Sequence, residues 1–338
     1  MKQIRVHGPD DVRLDDVDPP DPGPRDVVLE VAACGICGSD VSWVHMGGLA
    51  GPTDTPMPLG HELAGVVDWV GTEVDDISVG DRVIVFPGAG DGGQIGSGGS
   101  VGGLTPSLLL RNARLGERIF AVPDSVPLTV AALAEPLGVG MQAVNQADVA
   151  PGDKVAVFGC GPIGLMAIAT LIDRGIHEVV AVDLSPQRLA LAEGLGAQAV
   201  LDPTAVDVWD ELARLHGTAP FMFGPTPATN AFIEASGADQ VISDILQNGR
   251  VGGRMSVVAL HYRPIPTNFL MLLMKQFTIR GSMEYPPRFE DAIELLERRD
   301  LSGLITHQFP LEEFHEGLRL LEGSKDCGKV MITMGVER

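Results

Sequence analysis

The sequence predicts an α/β protein in which a doubly wound parallel sheet is joined to a mainly antiparallel β domain, and three observations predict it. Lys154 to Gln187, KVAVFGCGPIGLMAIATLIDRGIHEVVAVDLSPQ, reads as strand, glycine-rich turn, helix and second strand. After it, strand-like and helix-like segments alternate at the spacing of βαβ units. Residues 1–33, by contrast, alternate short apolar segments with acidic and proline-rich breaks, the pattern of antiparallel strands joined by turns.

Taken in order, Val27 to Ala33 is a strand that delivers the chain to Cys34-Gly35-Ile36-Cys37-Gly38-Ser39-Asp40. A loop follows, and Gly60-His61-Glu62 stands just before a strand-like run from Ala64 to Val70. Val83 to Phe86 is strongly β, whereas Gly88 to Gly103 has loop composition. That stretch lacks the Lys-Ser/Thr of a phosphate loop, so a mobile surface segment without a binding role is expected. Ser107 to Val122 resumes strand-like sequence, and Leu128 to Asn145 is helical with Pro136 expected to break or re-aim it. Beyond Asp183, PQRLALAEGLG, VWDELARLH and ADQVISDILQNG are helices, while AQAVL, FIEASG, RMSVVAL and QFTIRGS are strands. EDAIELLERRDL and LEEFHEGLRLLEG are amphipathic helices around THQFP, and KVMITM is a last strand that returns to the first domain. The expected domains are 1–140 with 290–338, and 141–289.

Gly159-Cys160-Gly161-Pro162-Ile163-Gly164 is a G-x-G-x-x-G between a strand and a helix, the dinucleotide-binding form of a Rossmann sheet. Gly159 permits the tight turn, Gly161 lets a pyrophosphate lie on the backbone and Gly164 lets the helix pack close to the strand. Pro162 and Ile163 open the helix, whose free N–H groups attract phosphate. The carboxylate of Asp183 is placed to bind an adenosine ribose and to repel a 2′-phosphate, which favours NAD over NADP. Arg188 either stacks near the adenine or is an exposed helix arginine.

With 338 residues, of which 45% are hydrophobic, two domains with sizeable cores are expected. A net charge of −21 argues against nucleic acid and anionic membranes as partners. Four scattered cysteines make no disulfide framework, and no apolar run is long enough to span a membrane, so a soluble cytoplasmic protein is expected.

Cys37, the pair His61-Glu62 and Glu135 are candidate metal ligands, since a catalytic zinc takes thiolate, imidazole and carboxylate and keeps one position open. Their separation in sequence does not establish a site by itself. The run CGICGSD, then LGHE, AEPL, VFGCGPIG with its terminal Asp, IRGS and GKVMI resembles the zinc-dependent medium-chain dehydrogenases, and among them the sorbitol (polyol), threonine and butanediol dehydrogenases. The resemblance spans essentially the whole chain. It implies a GroES-like catalytic domain beside the Rossmann domain, with the site in the cleft between them, and a homodimer or homotetramer. It also implies a zinc held by Cys37, His61 and Glu62, with Glu135 a fourth ligand or an exchangeable partner near the bound water. Ser39 would touch the substrate oxygen and begin a proton relay; its alternative role is to cap the following helix.

The chain departs from that family in three places. The relay histidine shortly after the serine is replaced by Ser42, leaving His45, water or ribose hydroxyls as routes. The four-cysteine lobe that binds a structural zinc is replaced by the Gly88–Gly103 stretch, so one catalytic and no structural zinc is expected. An Arg-Tyr pair near the polyol of sorbitol dehydrogenases is Glu284-Tyr285 here, which disfavours sorbitol itself. The implied activity is NAD-linked oxidation of a secondary alcohol or small polyol. The competing readings are a zinc-free enone or quinone reductase of the same fold, and a non-catalytic nucleotide sensor. Cys34 and Cys160 read as small buried residues, Cys327 as undecided between core and surface, and Trp43, Phe269, Met271 and Met274 as core packing or pocket lining.

Overall fold

The structure is a computed structural model describing residues 1–88, 93–323 and 326–335. The chain divides into two units, Met1–Glu135 with Phe289–Arg338, and Pro136–Arg288. The first unit begins with β1 (Lys2–Gly8), β2 (Asp11–Asp16), β3 (Val27–Ile36), α1 (Gly38–Met46), β4 (Met57–Pro58) and β5 (Glu62–Val70). It continues through β6 (Arg82–Val85), β7 (Ser107–Leu110), β8 (Ile119–Ala121) and α2 (Leu128–Ala131) to α3 (Ala134–Gln146), within which the chain enters the second unit. There follow β9 (Val155–Phe158), α4 (Pro162–Asp173), β10 (Val179–Val182), α5 (Pro186–Leu195), β11 (Ala199–Leu201), α6 (Val208–His216), β12 (Thr218–Ala219), β13 (Thr226–Pro227) and β14 (Ala231–Glu234). The second unit ends with α7 (Asp239–Asn248), β15 (Arg254–Val257), α8 (Phe269–Lys275) and β16 (Thr278–Gly281). The chain then rejoins the first unit as α9 (Glu290–Arg298), β17 (Ile305–Pro310), α10 (Phe314–Gly323) and β18 (Lys329–Thr333).

The second unit is the doubly wound parallel sheet, in the order β11-β10-β9-β14-β15-β16, every neighbour parallel. Its central strand β9 is wholly buried, as VAVF demands, because helices cover both faces of such a sheet. The order reverses across β9, and that reversal opens the crevice where a dinucleotide binds. In the first unit the order is β17-β18-β3-β5-β6-β8, with β7 also pairing β3. Antiparallel ladders dominate it, apart from the parallel pair β17–β18.

Two expectations are corrected. The 88–103 stretch is not simply a mobile surface segment, although residues 89–92 lie outside the described residues. Ile95 and Leu104 are fully buried, and the Gly103 N–H donates to the Gly60 carbonyl at 2.7 Å. Its glycines are a packing requirement: a Cβ on Gly96 would strike the Gly60 backbone, and one on Gly102 the Leu59 backbone. The stretch therefore buttresses the turn that precedes His61. The buried Arg118 guanidinium also donates to the Gly88 and Gly93 carbonyls, tying down both sides of the undescribed residues. Secondly, Pro136 does not break a helix. The chain bends earlier, at Ala132–Leu133, and Pro136 lies in the first turn of α3, where its missing N–H would have had no helical partner. That bend places Glu135 in the same first turn, where the helix dipole favours a carboxylate.

The glycine-rich turn has two close approaches that require glycine. Gly159 has φ +92°, and a Cβ there would lie 2.6 Å from the Ser236 backbone; a Cβ on Gly164 would overlap the Gly159 carbonyl oxygen. Replacing Gly164 by Ala should therefore lower unfolding stability by about 1–3 kcal/mol, read as an earlier denaturant midpoint. An unchanged midpoint would contradict the packing role.

Candidate active site

The site in the first unit is assembled by strand register. On β3, Gly35 faces Glu62 of β5, and Ile36 faces Val330 of β18. Cys37 immediately follows β3, and His61 immediately precedes β5. One donor atom each from Cys37, His61 and Glu62 lies within 4.8 Å of the others. Ligands at about 2.0–2.3 Å from a tetrahedral zinc stand roughly 3.5 Å apart, so small side-chain adjustments suffice. Glu135 is buried and close enough for its charge to act on both His61 and Lys329. Three of the four residues nominated from sequence thus converge, with Glu135 near enough to act on them through its charge.

Two residues that the sequence reading passed over hold them in place. Asp40 is fully buried; its Oδ2 accepts from the Cys37 N–H at 2.9 Å while its Oδ1 faces His61 Nδ1 at 3.6 Å. One carboxylate therefore orients both the thiol-bearing backbone and the imidazole. With Nδ1 turned to Asp40, Nε2 is the nitrogen left for a metal, the usual carboxylate–histidine arrangement behind zinc. The signal was present: an acidic residue three positions after Cys37 has capping-box spacing, and Cys37 is the N-cap of α1. Ser39 consequently sits inside the first turn of α1, half-buried, and is not the cap.

Lys329 is the second such residue. Its ammonium is fully buried and ion-paired with Glu62, and a Cβ on Gly35 would collide with both. The glycine of C-G-I-C is thus the gap through which this pair meets. Burial alone would lower the Lys329 pKa, but Glu62, together with Cys37 and Glu135, raises it above 10.5, so it stays charged. A lysine heading the apolar run KVMITM was the available clue.

Burial should also depress His61, yet the charge of Asp40, a hydrogen bond and charge from Cys37, and Glu135 together lift its pKa well above 6.5. The surroundings of the imidazole are therefore strongly anionic. His61 Nδ1 and Asp40 Oδ1, which face each other at 3.6 Å, are buried without a hydrogen bond. Soft and hard donors, surplus negative charge and incompletely satisfied polar atoms together fit a divalent cation such as zinc. Trp43 packs against His61, ring centroids 5.6 Å apart, and makes an apolar wall. His45 is exposed on the last turn of α1 and paired with Asp10 and Glu322, the arrangement of a surface histidine. Cys34, Cys160 and Cys327 are buried free thiols, and burial raises the pKa of the first two.

In the second unit the glycine-rich turn suits a dinucleotide. No side chain caps α4, whose N-cap is Gly161 with Pro162 and Ile163 next, so its first N–H groups remain available to phosphate. A Cβ on Gly161 would meet nothing closer than Arg188 Nη1 at 3.8 Å. The arginine thus lies over the turn as well as near the expected adenosine side. Asp183 accepts from the Cys160 N–H at 2.6 Å and the Ser185 N–H at 2.8 Å, which fixes its carboxylate beyond β10.

Comparison with known proteins identifies the family of the two units. Residues 23–115 match the family model described as alcohol dehydrogenase GroES-like domain, and residues 162–298 match zinc-binding dehydrogenase. The (R,R)-butanediol dehydrogenase of Bacillus subtilis (strain 168) is 30% identical over 98% of this chain and 99% of its own. The sorbitol dehydrogenase of Rattus norvegicus is 33% identical over 97% of this chain and 94% of its own. The crystal structure of 2R,3R-butanediol dehydrogenase from Bacillus subtilis superposes with a TM-score of 0.88, covering 98% of this chain and 99% of that one at 30% identity.

Two outcomes test the construction of the site. Lys329→Met should destabilise the fold by about 3–5 kcal/mol because it strands a buried carboxylate, and adding Glu62→Gln should recover most of that loss in urea unfolding. Equal losses in the single and double variants would refute the pairing. Asp40→Asn should weaken zinc binding about 10- to 100-fold in competition with a chromophoric chelator; undiminished affinity would remove Asp40 from the arrangement.

Proposed function

The chain belongs to the zinc-dependent medium-chain dehydrogenases, and from that membership we propose an NAD-linked enzyme that moves a hydride between a secondary alcohol or small polyol and the nicotinamide ring. The observation that carries the reading is the convergence of Cys37, His61 and Glu62 within 4.8 Å in a chain that also bears the glycine-rich turn on β9. A zinc-free reductase or a sensor would have no use for that donor set.

Cys37, His61 and Glu62 would hold the metal, with Glu135 a fourth ligand or an exchangeable partner near the bound water. Zinc supplies Lewis acidity toward a hydroxyl oxygen, and NAD supplies the hydride acceptor. Around them the protein's own groups do the positioning. Asp40 keeps Nε2 of His61 free by engaging Nδ1. Lys329 offsets one of the carboxylate charges and restrains Glu62. Ser39, two residues past Cys37, would accept the hydroxyl proton from the substrate oxygen and give up its own to water, a ribose hydroxyl or His45. Trp43 excludes water from one side of the imidazole and gives small apolar substituents a surface. With Glu284-Tyr285 in place of an Arg-Tyr pair, a short secondary alcohol or diol is preferred over sorbitol.

The carboxylate of Asp183, held by two backbone donors, supports NAD over NADP. A single zinc is supported by the absence of cysteine from residues 88–103. A homodimer or homotetramer is supported by the sheet edge at β16 and by exposed Phe269, Leu270 and Leu273 on neighbouring α8. Four free cysteines support a reducing, cytoplasmic setting; among the described residues no helix is long and apolar enough to cross a membrane.

The test is zinc content per subunit, combined with oxidation of an alcohol and polyol panel using NAD and NADP before and after chelation. About one zinc per subunit, with NAD-linked activity lost on chelation and restored by zinc, is expected. Two zincs would overturn the single-site reading. Activity indifferent to the chelator would overturn the zinc mechanism in favour of the reductase.

A further inference from the structure

At the carboxyl edge of the nucleotide sheet, one strand from the glycine-rich turn, lies an acid–histidine–acid cluster, reaching from the buried Glu234 to the half-exposed Asp239, that none of the chemistry above uses. Glu234 ends β14 and is fully buried. Its Oε1 accepts from the Ser236 N–H at 2.8 Å, the Ser236 hydroxyl at 2.6 Å and the Gly237 N–H at 2.9 Å. Its Oε2 faces Nε2 of His261 at 2.9 Å, and Nδ1 of the same ring faces Asp239 Oδ1 at 3.1 Å. His261 follows β15 and is turned inward between two exposed neighbours, Leu260 and Tyr262.

The cluster reaches the cofactor turn in one step. The Ala235–Ser236 backbone that Glu234 organises is the surface against which Gly159 packs, with no space for a Cβ between them. The Glu234 carbonyl also accepts from the Val258 and Ala259 N–H groups, so the same residue anchors the segment leaving β15. In a doubly wound sheet the half containing β9–β11 takes the adenosine, here marked by Asp183, and the half containing β14–β16 takes the other nucleotide.

We infer that His261 is a positioning residue for the nicotinamide half of the dinucleotide: by bridging Glu234 and Asp239 it holds the segment after β15, and the 235–238 turn, in the arrangement that half requires. The inference rests on the NAD reading above. Both ring nitrogens face carboxylate oxygens, so only the imidazolium can donate to both. A neutral ring donates to one and turns a lone pair toward the other. The charged groups that face the ring are Glu234 from β14 and Asp239 from α7. Burial alone would lower the ring's pKa, but these two contacts outweigh it and raise it above 6.5. A raised pKa means that the full bridge is present below the ordinary histidine range and is lost as pH rises through the raised value.

The test is titration of purified wild type, His261→Gln and Asp239→Asn with NADH by fluorescence and with ADP by calorimetry, from pH 6 to 10. Wild type binding both ligands secures the NAD reading independently of the variants; failure to bind NADH overturns reading and inference together. At pH 6–7, His261→Gln should weaken NADH about tenfold, the worth of one charge-assisted hydrogen bond, while leaving ADP within about twofold. Wild-type NADH affinity should fall as the ring deprotonates, and His261→Gln should lack that step. Asp239→Asn, a half-exposed change that preserves folding should His261→Gln unfold, should move the step to lower pH because the ring loses one counter-charge. NADH and ADP weakening together, no weakening, or a pH step unmoved by Asp239→Asn would each overturn the assignment.

Discussion

The antiparallel pairing of β3 with β5 is the constraint on which the candidate metal site depends. Its register sets Gly35 opposite Glu62, so the residue just past β3 and the residue just before β5 emerge side by side. A one-residue slip would send every side chain of one strand to the opposite face and separate Cys37 from His61. That register is secured by the buried apolar positions of both strands and, on the other side of β3, by β18. Three segments from distant parts of the sequence meet because three adjacent strands hold them there.

Such a meeting place concentrates charge. Asp40, Glu62 and Glu135 are all buried around one imidazole and one cysteine, with Lys329 the buried cation among them. Burying so many ionisable groups is unfavourable unless each is matched, and the lysine, the helix terminus beneath Asp40 and a divalent metal are the available matches. The glycines nearby serve the same end. Gly35 leaves room for the Glu62–Lys329 pair, and Gly96 and Gly102 allow backbone to lie on backbone behind His61. Residues 93–103 form a buttress that Arg118 holds at the Gly93 carbonyl.

The nucleotide unit solves a different problem, that of presenting backbone N–H groups to a phosphate while keeping the crevice open. The close fits at Gly159 and Gly164 pull turn, helix and strand together, whereas Gly161 faces open space beneath Arg188. Asp183 is tied to the same turn through the Cys160 N–H, and Glu234 organises the turn on the opposite flank. Two carboxylates, one on each side of β9, thus shape the two halves of one binding crevice.

By itself the sequence determined the βαβ unit, the parallel sheet around it and the carboxylate at the end of β10, and it nominated Cys37, His61, Glu62 and Glu135 as candidate donors. These are local properties: hydrophobic periodicity, turn chemistry and ligand type are written over a few residues at a time. Only the tertiary structure decided that Asp40 serves both Cys37 and His61, that Lys329 neutralises Glu62 from the far end of the chain, and that Gly88–Gly103 is in part interior. It also moved the bend before α3 from Pro136 to Ala132–Leu133. Each of these depends on strand register and on which backbones come within touching distance, and such contacts between residues as remote as Glu62 and Lys329 leave no periodic trace in a linear sequence.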